Sequence, residues 1–324
     1  MKMRKNRISW GMMSRVRSAG LIVCFFLLPV LAFSAEKGPM KLVDDPVNGT
    51  LTILEGDTPA LTYQYGDRLP DGVPKGYIHS TYIHPLHSLD GEVLTEDFPL
   101  DHLHHHGLFW TWPYVKTRGF KTQTWHPDNP SLRQYFVRWL KMGEKNGAAV
   151  VEAENTWKLN GEETVAREVV TLYVHPAGPS GRAVDIGIVL TAVGGPLEVK
   201  GTDEGKKGYG GLCLRGASLF KGCVLTTDEG RLKKDATNTP FLWADMSTDK
   251  VGVAVFPFTG HPGFPVHWLI RNSYAGVINV SWPGLDAHVL KDGESVTLTY
   301  RIYIHRGDAE TGHVQQAYRE YIKE

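Results

Sequence analysis

The sequence predicts an all-β protein: a large antiparallel β-sandwich with one short C-terminal helix. Three observations predict it. Turn signals recur roughly every eight to fifteen residues, short runs rich in β-branched and aromatic residues lie between them, and helical periodicity is confined to the last residues.

The turn signals are Val47-Asn48-Gly49, Glu55-Gly56-Asp57, Pro70-Asp71-Gly72, Asn160-Gly161, Gly194-Gly195-Pro196 and Lys291-Asp292-Gly293. The runs between them place strands over residues 51–54, 60–65, 135–140, 149–153, 168–174, 183–191, 252–256, 277–281 and 295–305. In the last run, Thr297-Leu298-Thr299-Tyr300-Arg301-Ile302-Tyr303-Ile304 puts apolar side chains on one face and polar or mixed ones on the other. Asn160-Gly161 between two such runs reads as a hairpin turn, because both residues tolerate positive φ. Val314, Ala317, Tyr318 and Tyr321 recur at helical spacing, with Asp308 as the expected cap. The stretch 107–130 shows little regular pattern and reads as a long loop, a kind of segment that usually carries function in a compact domain.

The N-terminus has the grammar of an export signal. Lys2, Arg4, Lys5, Arg7, Arg15 and Arg17 form a basic leader, and residues 21–33 are almost wholly apolar. That run is about 13 residues, against the roughly 20 a spanning helix requires. Ala32 and Ser34 are the small residues of a cleavage site, so residues 1–34 are expected to be a signal peptide and 35–324 a single β-sandwich domain. The expected location is the periplasm or the exterior, with no membrane span after cleavage.

Acidic and basic residues balance at 35 each, and no basic stripe interleaves with aromatics, which argues against a nucleic-acid partner. Nine tryptophans and thirteen tyrosines can pack between sheets or stack on sugars. Cys213 and Cys223 would remain after cleavage, either as a disulfide or as two buried thiols.

The chemistry concentrates between positions 84 and 106, where six of the fourteen histidines lie. If residues 101–107 are extended, His102, His104 and His106 share one face while Leu103 and His105 point the other way. Three imidazoles on one face can hold a divalent metal, bind a polar ligand or move a proton near neutral pH. Asp97 or Asp101 can fix a histidine tautomer. The catalytic candidates are therefore His102, His104, His105, His106 and Asp101, and the metal candidates are His102, His104 and His106. Further constellations supply substrate-binding candidates: His84 and Asp97; Arg167 and Asp185 on predicted strands; Lys207, Tyr209 and Arg215 in a glycine-rich run; and His261, His267 and Arg271. The glycine-rich run follows neither the P-loop nor the dinucleotide pattern, and neither a Gly-x-Ser-x-Gly elbow nor a His-Glu-x-x-His helix is present. A glycosidase carboxylate pair has no fixed sequence spacing and stays open.

The run His84-Pro85 through Leu94-Thr95-Glu96-Asp97-Phe98-Pro99-Leu100-Asp101-His102-Leu103-His104-His105-His106-Gly107-Leu108 resembles a bacterial family labelled methane oxygenase PmoA-like. The resemblance extends over about positions 60–307. It includes Arg167, Asp185, Gly208-Tyr209-Gly210-Gly211-Leu212, Arg215, His261-Pro262, Trp268, Arg271 and His305-Arg306-Gly307. Thr124-Trp125-His126 stands where the family pattern has Gly-x-x-Asp-Phe-Trp. The label implies a copper-dependent oxidoreductase. The family's association with sugar-degrading enzymes implies a carbohydrate or glycoside ligand, and its architecture implies a supersandwich like that of aldose epimerases. The expected function is an exported carbohydrate-active enzyme (hydrolase, lyase or epimerase) working through the histidine-rich site. A noncatalytic carbohydrate-binding protein and a metal-dependent oxidoreductase are the alternatives.

Overall fold

A computed structural model describes residues 38–273 and 276–323. The expected signal peptide lies outside the described residues. The described residues form one compact unit.

The fold is nearly all β. Two nine-stranded antiparallel sheets pack face to face, with a four-stranded sheet beside them. The first sheet runs, in spatial order, Met40–Asp45, Thr50–Glu55, Thr58–Gln64, Tyr82–Leu86, Leu108–Thr111, Gly211–Arg215, Val277–Ser281, His267–Arg271 and Ala236–Pro240. The second has at its centre Val251–Pro257, Ser295–Arg306, Gly181–Ala192, Glu163–Val174 and Ala148–Leu159, with Leu132–Lys145 at one edge.

Side-chain alternation drives this pairing. Every second residue of Gly181–Ala192 is buried, so Val184, Ile186, Ile188 and Leu190 enter the core while Asp185 faces outward. Asn160 and Gly161 take positive φ (49° and 78°) and turn the chain between Ala148–Leu159 and Glu163–Val174. One carboxylate joins the two sheets. The fully buried Glu168 accepts hydrogen bonds from Trp110 Nε1 (3.1 Å), Trp157 Nε1 (3.0 Å) and Asn155 Nδ2 (2.9 Å). Burial raises its pKa, and those three donors offset part of the desolvation.

Three expectations change. The stretch 107–130 is not one long loop, because it contains the strands Leu108–Thr111, Tyr114–Thr117 and Phe120–Thr122. They were hidden because each is only three or four residues long. The C-terminal helix, Val314–Tyr321, is present and buries Val314, Tyr318 and Tyr321, but Asp308 does not cap it. Asp308 instead accepts the Thr311 N–H (2.9 Å) in the preceding turn, and His313 at φ 53° takes the cap position. Cys213 and Cys223 are both free and buried.

Among the described residues no helix is long and apolar enough to cross a membrane.

Candidate active site: a two-lobed histidine cleft

The histidine run lies on the long connection between Tyr82–Leu86 and Leu108–Thr111. Asp97 pairs with His106 as an isolated β-bridge, which closes the residues between them into a loop. That loop is not extended. His102 N–H bonds to Pro99 O (2.9 Å) and His105 N–H bonds to His102 O (2.9 Å), so the chain turns twice. Proline at 99 favours the first turn. The expected common face of His102, His104 and His106 is therefore overturned. His102, His104 and His105 form one cluster, with the rings of His102 and His105 stacked 4.8 Å apart. His106 turns away to a second cluster, stacked on His79 with ring centroids 4.2 Å apart.

Two residues flanking the site hold left-handed backbone, Thr81 at φ 63° and Phe98 at φ 48°. Such strain in a β-branched or bulky residue persists only where the surroundings over-determine it, and it concentrates at functional sites. Gly107, at φ 71°, ends the run; a Cβ there would lie 2.6 Å from Ile83 O and 3.0 Å from His84 Cβ.

His106 and Asp97 form an ordered pair. His106 Nδ1 lies 3.2 Å from Asp97 Oδ1, and Asp97 Oδ2 accepts the Tyr82 hydroxyl (2.8 Å). Burial raises the Asp97 carboxyl to about 6, against the opposing effects of His84 and Tyr82. Burial, helped by His84, lowers the His106 imidazole to about 3. At neutral pH the pair is thus a carboxylate and a neutral ring. With Nδ1–H directed at Asp97, Nε2 carries the lone pair. His84 acts on both members of the pair electrostatically and is itself held by Thr95, with Nδ1 3.0 Å from Thr95 Oγ1.

Arg215 holds the loop from below. It is 3% exposed and donates to Asp101 (3.0 and 3.2 Å) and Glu96 (3.2 and 3.0 Å). Asp101 also contacts His102 Nδ1 (3.1 Å). Arg215 thus positions the loop instead of lining a ligand site. Arg215→Met should cost about 1–3 kcal/mol, because the two carboxylates it pairs are partly solvated. Thermal melting combined with hydrogen exchange should show the loss concentrated at residues 96–106, and an unchanged exchange pattern there would contradict the clamp.

Two cavities open beside these clusters and share the wall His104, Trp125 and His126. The first, about 340 Å³, is lined among others by His79, His106, Arg133 and Tyr135. The second, about 280 Å³, is lined by His102, His105, Lys207, Tyr209, Arg271 and their neighbours, with Cys213 and Asn279 at its strand side. The shared wall comes from the loop after Phe120–Thr122. Reciprocal bonds between Thr124 and Trp112 (both 2.9 Å) pin that loop, leaving Trp125 packed on Phe109 and Tyr209 and the His126 ring 4.0 Å from His104. Burial first, then His126 and His102, lower His104 to about 2. Burial also lowers His79, His105 and His126, so the wall is made of neutral imidazoles.

The structure therefore gathers His102, His104, His105, His106, Lys207, Tyr209 and Arg271 at the cleft, with Asp97, Asp101, His84 and Arg215 supporting them. It removes four candidates. Arg167 lies on the outer face of the second sheet, bonded to Glu154. Asp185 on the same face pairs with Arg301 (2.5 and 2.9 Å) and His175 (2.7 Å). His261 is buried, with Nδ1 on Pro262 O and Nε2 accepting from the Tyr300 hydroxyl, both at 2.9 Å. His267 lines a different cavity and contacts Asn238 (2.7 Å). His79 was missed: no local motif marks it, and only the Arg68–His79 bridge brings it under His106.

Among the described residues no three His, Cys, Asp or Glu side chains are grouped to hold a metal ion. The turn at 102–105 separates His106 from His102 and His104, so the expected trio does not fit a metal.

Fold and cleft together define an all-β protein with a two-lobed, histidine-lined site. The chain belongs to DUF6807, a family of unknown function, which it matches over residues 50–319. No curated protein matches it. A solved structure described as a polysaccharide lyase is similar with a TM-score of 0.31 and 12% identity, over 87% of this chain and 34% of that one. This chain thus spans about a third of the length of that structure.

Proposed function

We propose that this is an exported carbohydrate-active protein, an enzyme acting on a sugar or glycoside in the two-lobed cleft. The observation that carries the reading is the shared wall of His104, Trp125 and His126 between two cavities, with His106, backed by Asp97, lining the first. Aromatic rings beside neutral hydrogen-bonding groups suit a ligand that presents both C–H faces and hydroxyls. His106 is the general base: Asp97 fixes its tautomer through Nδ1, and Nε2 accepts a proton from a ring hydroxyl or carbon acid. Hydrolysis, elimination and epimerisation all begin with such a transfer or its reverse.

A second reading is a noncatalytic carbohydrate-binding protein. The low pKa of His104 and His106 favours it, because a weakly basic imidazole grips a hydroxyl better than it removes a proton. The metal-dependent oxidation implied by the PmoA-like resemblance lacks a fitting donor set among the described residues.

The test is a panel of glycans, aryl glycosides and free sugars offered to protein purified without a histidine tag, with binding and product followed in parallel. Turnover of at least one member supports the enzyme. Binding without turnover supports the second reading, and the absence of any response refutes both.

A further inference from the structure

We propose that the second lobe is a carboxylate subsite and that the ligand is an acidic sugar, a uronic acid or a glycan containing one. The inference rests on the carbohydrate reading above and names its substrate class.

The lobe carries two cations and one acid among its described lining residues. Glu204 is the acid, and Lys207 takes it (2.6 Å). The surplus positive charge is Arg271, the last residue of the strand His267–Arg271. Its Nε is buried and has no hydrogen-bond partner. A guanidinium N–H left buried without an acceptor is costly, and a carboxylate satisfies it with the bidentate geometry that arginine favours.

A second observation points into the same lobe. His105 is 6% exposed, lines the cavity, and has a buried Nδ1 with no hydrogen-bond partner. Asn279, by contrast, is already satisfied by Gly210, Ser281 and Leu212. Unfilled capacity is thus concentrated on Arg271 and His105. Trp125, from the shared wall, and Tyr209 line the same lobe, with ring centroids 4.8 Å apart. This wall suits a pyranose ring, and the charged end suits the carboxylate at its C5. The first lobe differs: its Arg133 also has a buried Nε without a hydrogen-bond partner, but its guanidinium is already paired with an acid, Asp67 (2.6 Å). An acidic sugar therefore enters with its carboxylate toward Arg271 and its other end toward His106.

The test is calorimetric titration of the purified protein with D-glucuronate, D-galacturonate, their methyl esters, the parent neutral sugars and L-lactate. The free acids should bind about tenfold or more tightly than their methyl esters. Added salt should weaken the acids and leave the esters unchanged. Arg271→Met should abolish the margin, and Arg271→Lys should retain part of it. The salt dependence is read on the unaltered protein, so it stands even if a variant folds poorly. Equal affinity for acids and esters would overturn the inference and leave the carbohydrate reading intact. A margin that survives in Arg271→Met would also overturn it. Lactate binding as tightly as the uronates, with no response to any neutral sugar, would sink the carbohydrate reading and the acidic-sugar assignment together.

Discussion

Lowering the pH from 7.5 to 5.5 should remove about 4–5 kcal/mol of folding stability, a fall in melting temperature of roughly 10–15 °C. His79, His105, His106 and His261 are each less than a tenth exposed, and burial holds all four below their ordinary pKa. The sign follows from linkage. A histidine whose folded pKa is depressed contributes full stability above its unfolded value, near 6.5. That stability is lost as the pH falls toward the folded value, at about 1.4 kcal/mol per unit for each ring. Asp97 works the other way. Its folded pKa is raised to about 6, so the native state gains protons before the unfolded chain does. At pH 5.5 this returns about 1 kcal/mol. Thermal melts in buffers spanning this range check the net slope. Stability that stays level would mean that the rings are not held neutral in the native state.

The second large effect concerns the Asp97–His106 pair. His106→Ala should lower kcat/KM on the substrate found by the panel by about 10²- to 10⁴-fold, the usual contribution of a positioned base. Asp97→Asn should lower it as well, since the amide no longer selects the tautomer that leaves Nε2 free. The same substitution should raise stability at pH 7.5 by about 1–2 kcal/mol, because it removes a carboxylate that burial disfavours. A pair kept only for structure would behave oppositely and lose stability when altered. In the unaltered enzyme, activity should fall as the pH drops through about 6 and Asp97 takes up a proton. His106→Ala with full turnover would show that the base lies elsewhere.

Much of this was legible in the chain. The strands were, because alternation in segments such as Gly181–Ala192 is a direct imprint of one buried face. The same rule disposes of Arg167 and Asp185: residues on polar positions of such strands face outward, as both do. The histidine loop is legible in position but not in conformation. Pro99 starts a turn that strand alternation over residues 101–107 does not anticipate, and the turn exchanges His106 for His105 in the cluster. The second lobe was the least legible. Lys207 and Tyr209 are far in sequence from both Arg271 and His105, and they meet because Gly211–Arg215 lies between Leu108–Thr111 and Val277–Ser281 in the sheet. No local pattern encodes that order. Trp125 and His126 stood out as a departure from the expected family pattern, and the structure makes them the wall shared by both lobes.

The central claim is that a sugar occupies the cleft around that wall. The most direct measurement is titration of the panel's tightest ligand into the wild-type protein and into a His104→Ala/His126→Ala variant whose melting curve is intact. Affinity should fall by about tenfold or more in the variant, because the two rings face both cavities. Unchanged affinity would place the ligand elsewhere on the molecule and contradict the account.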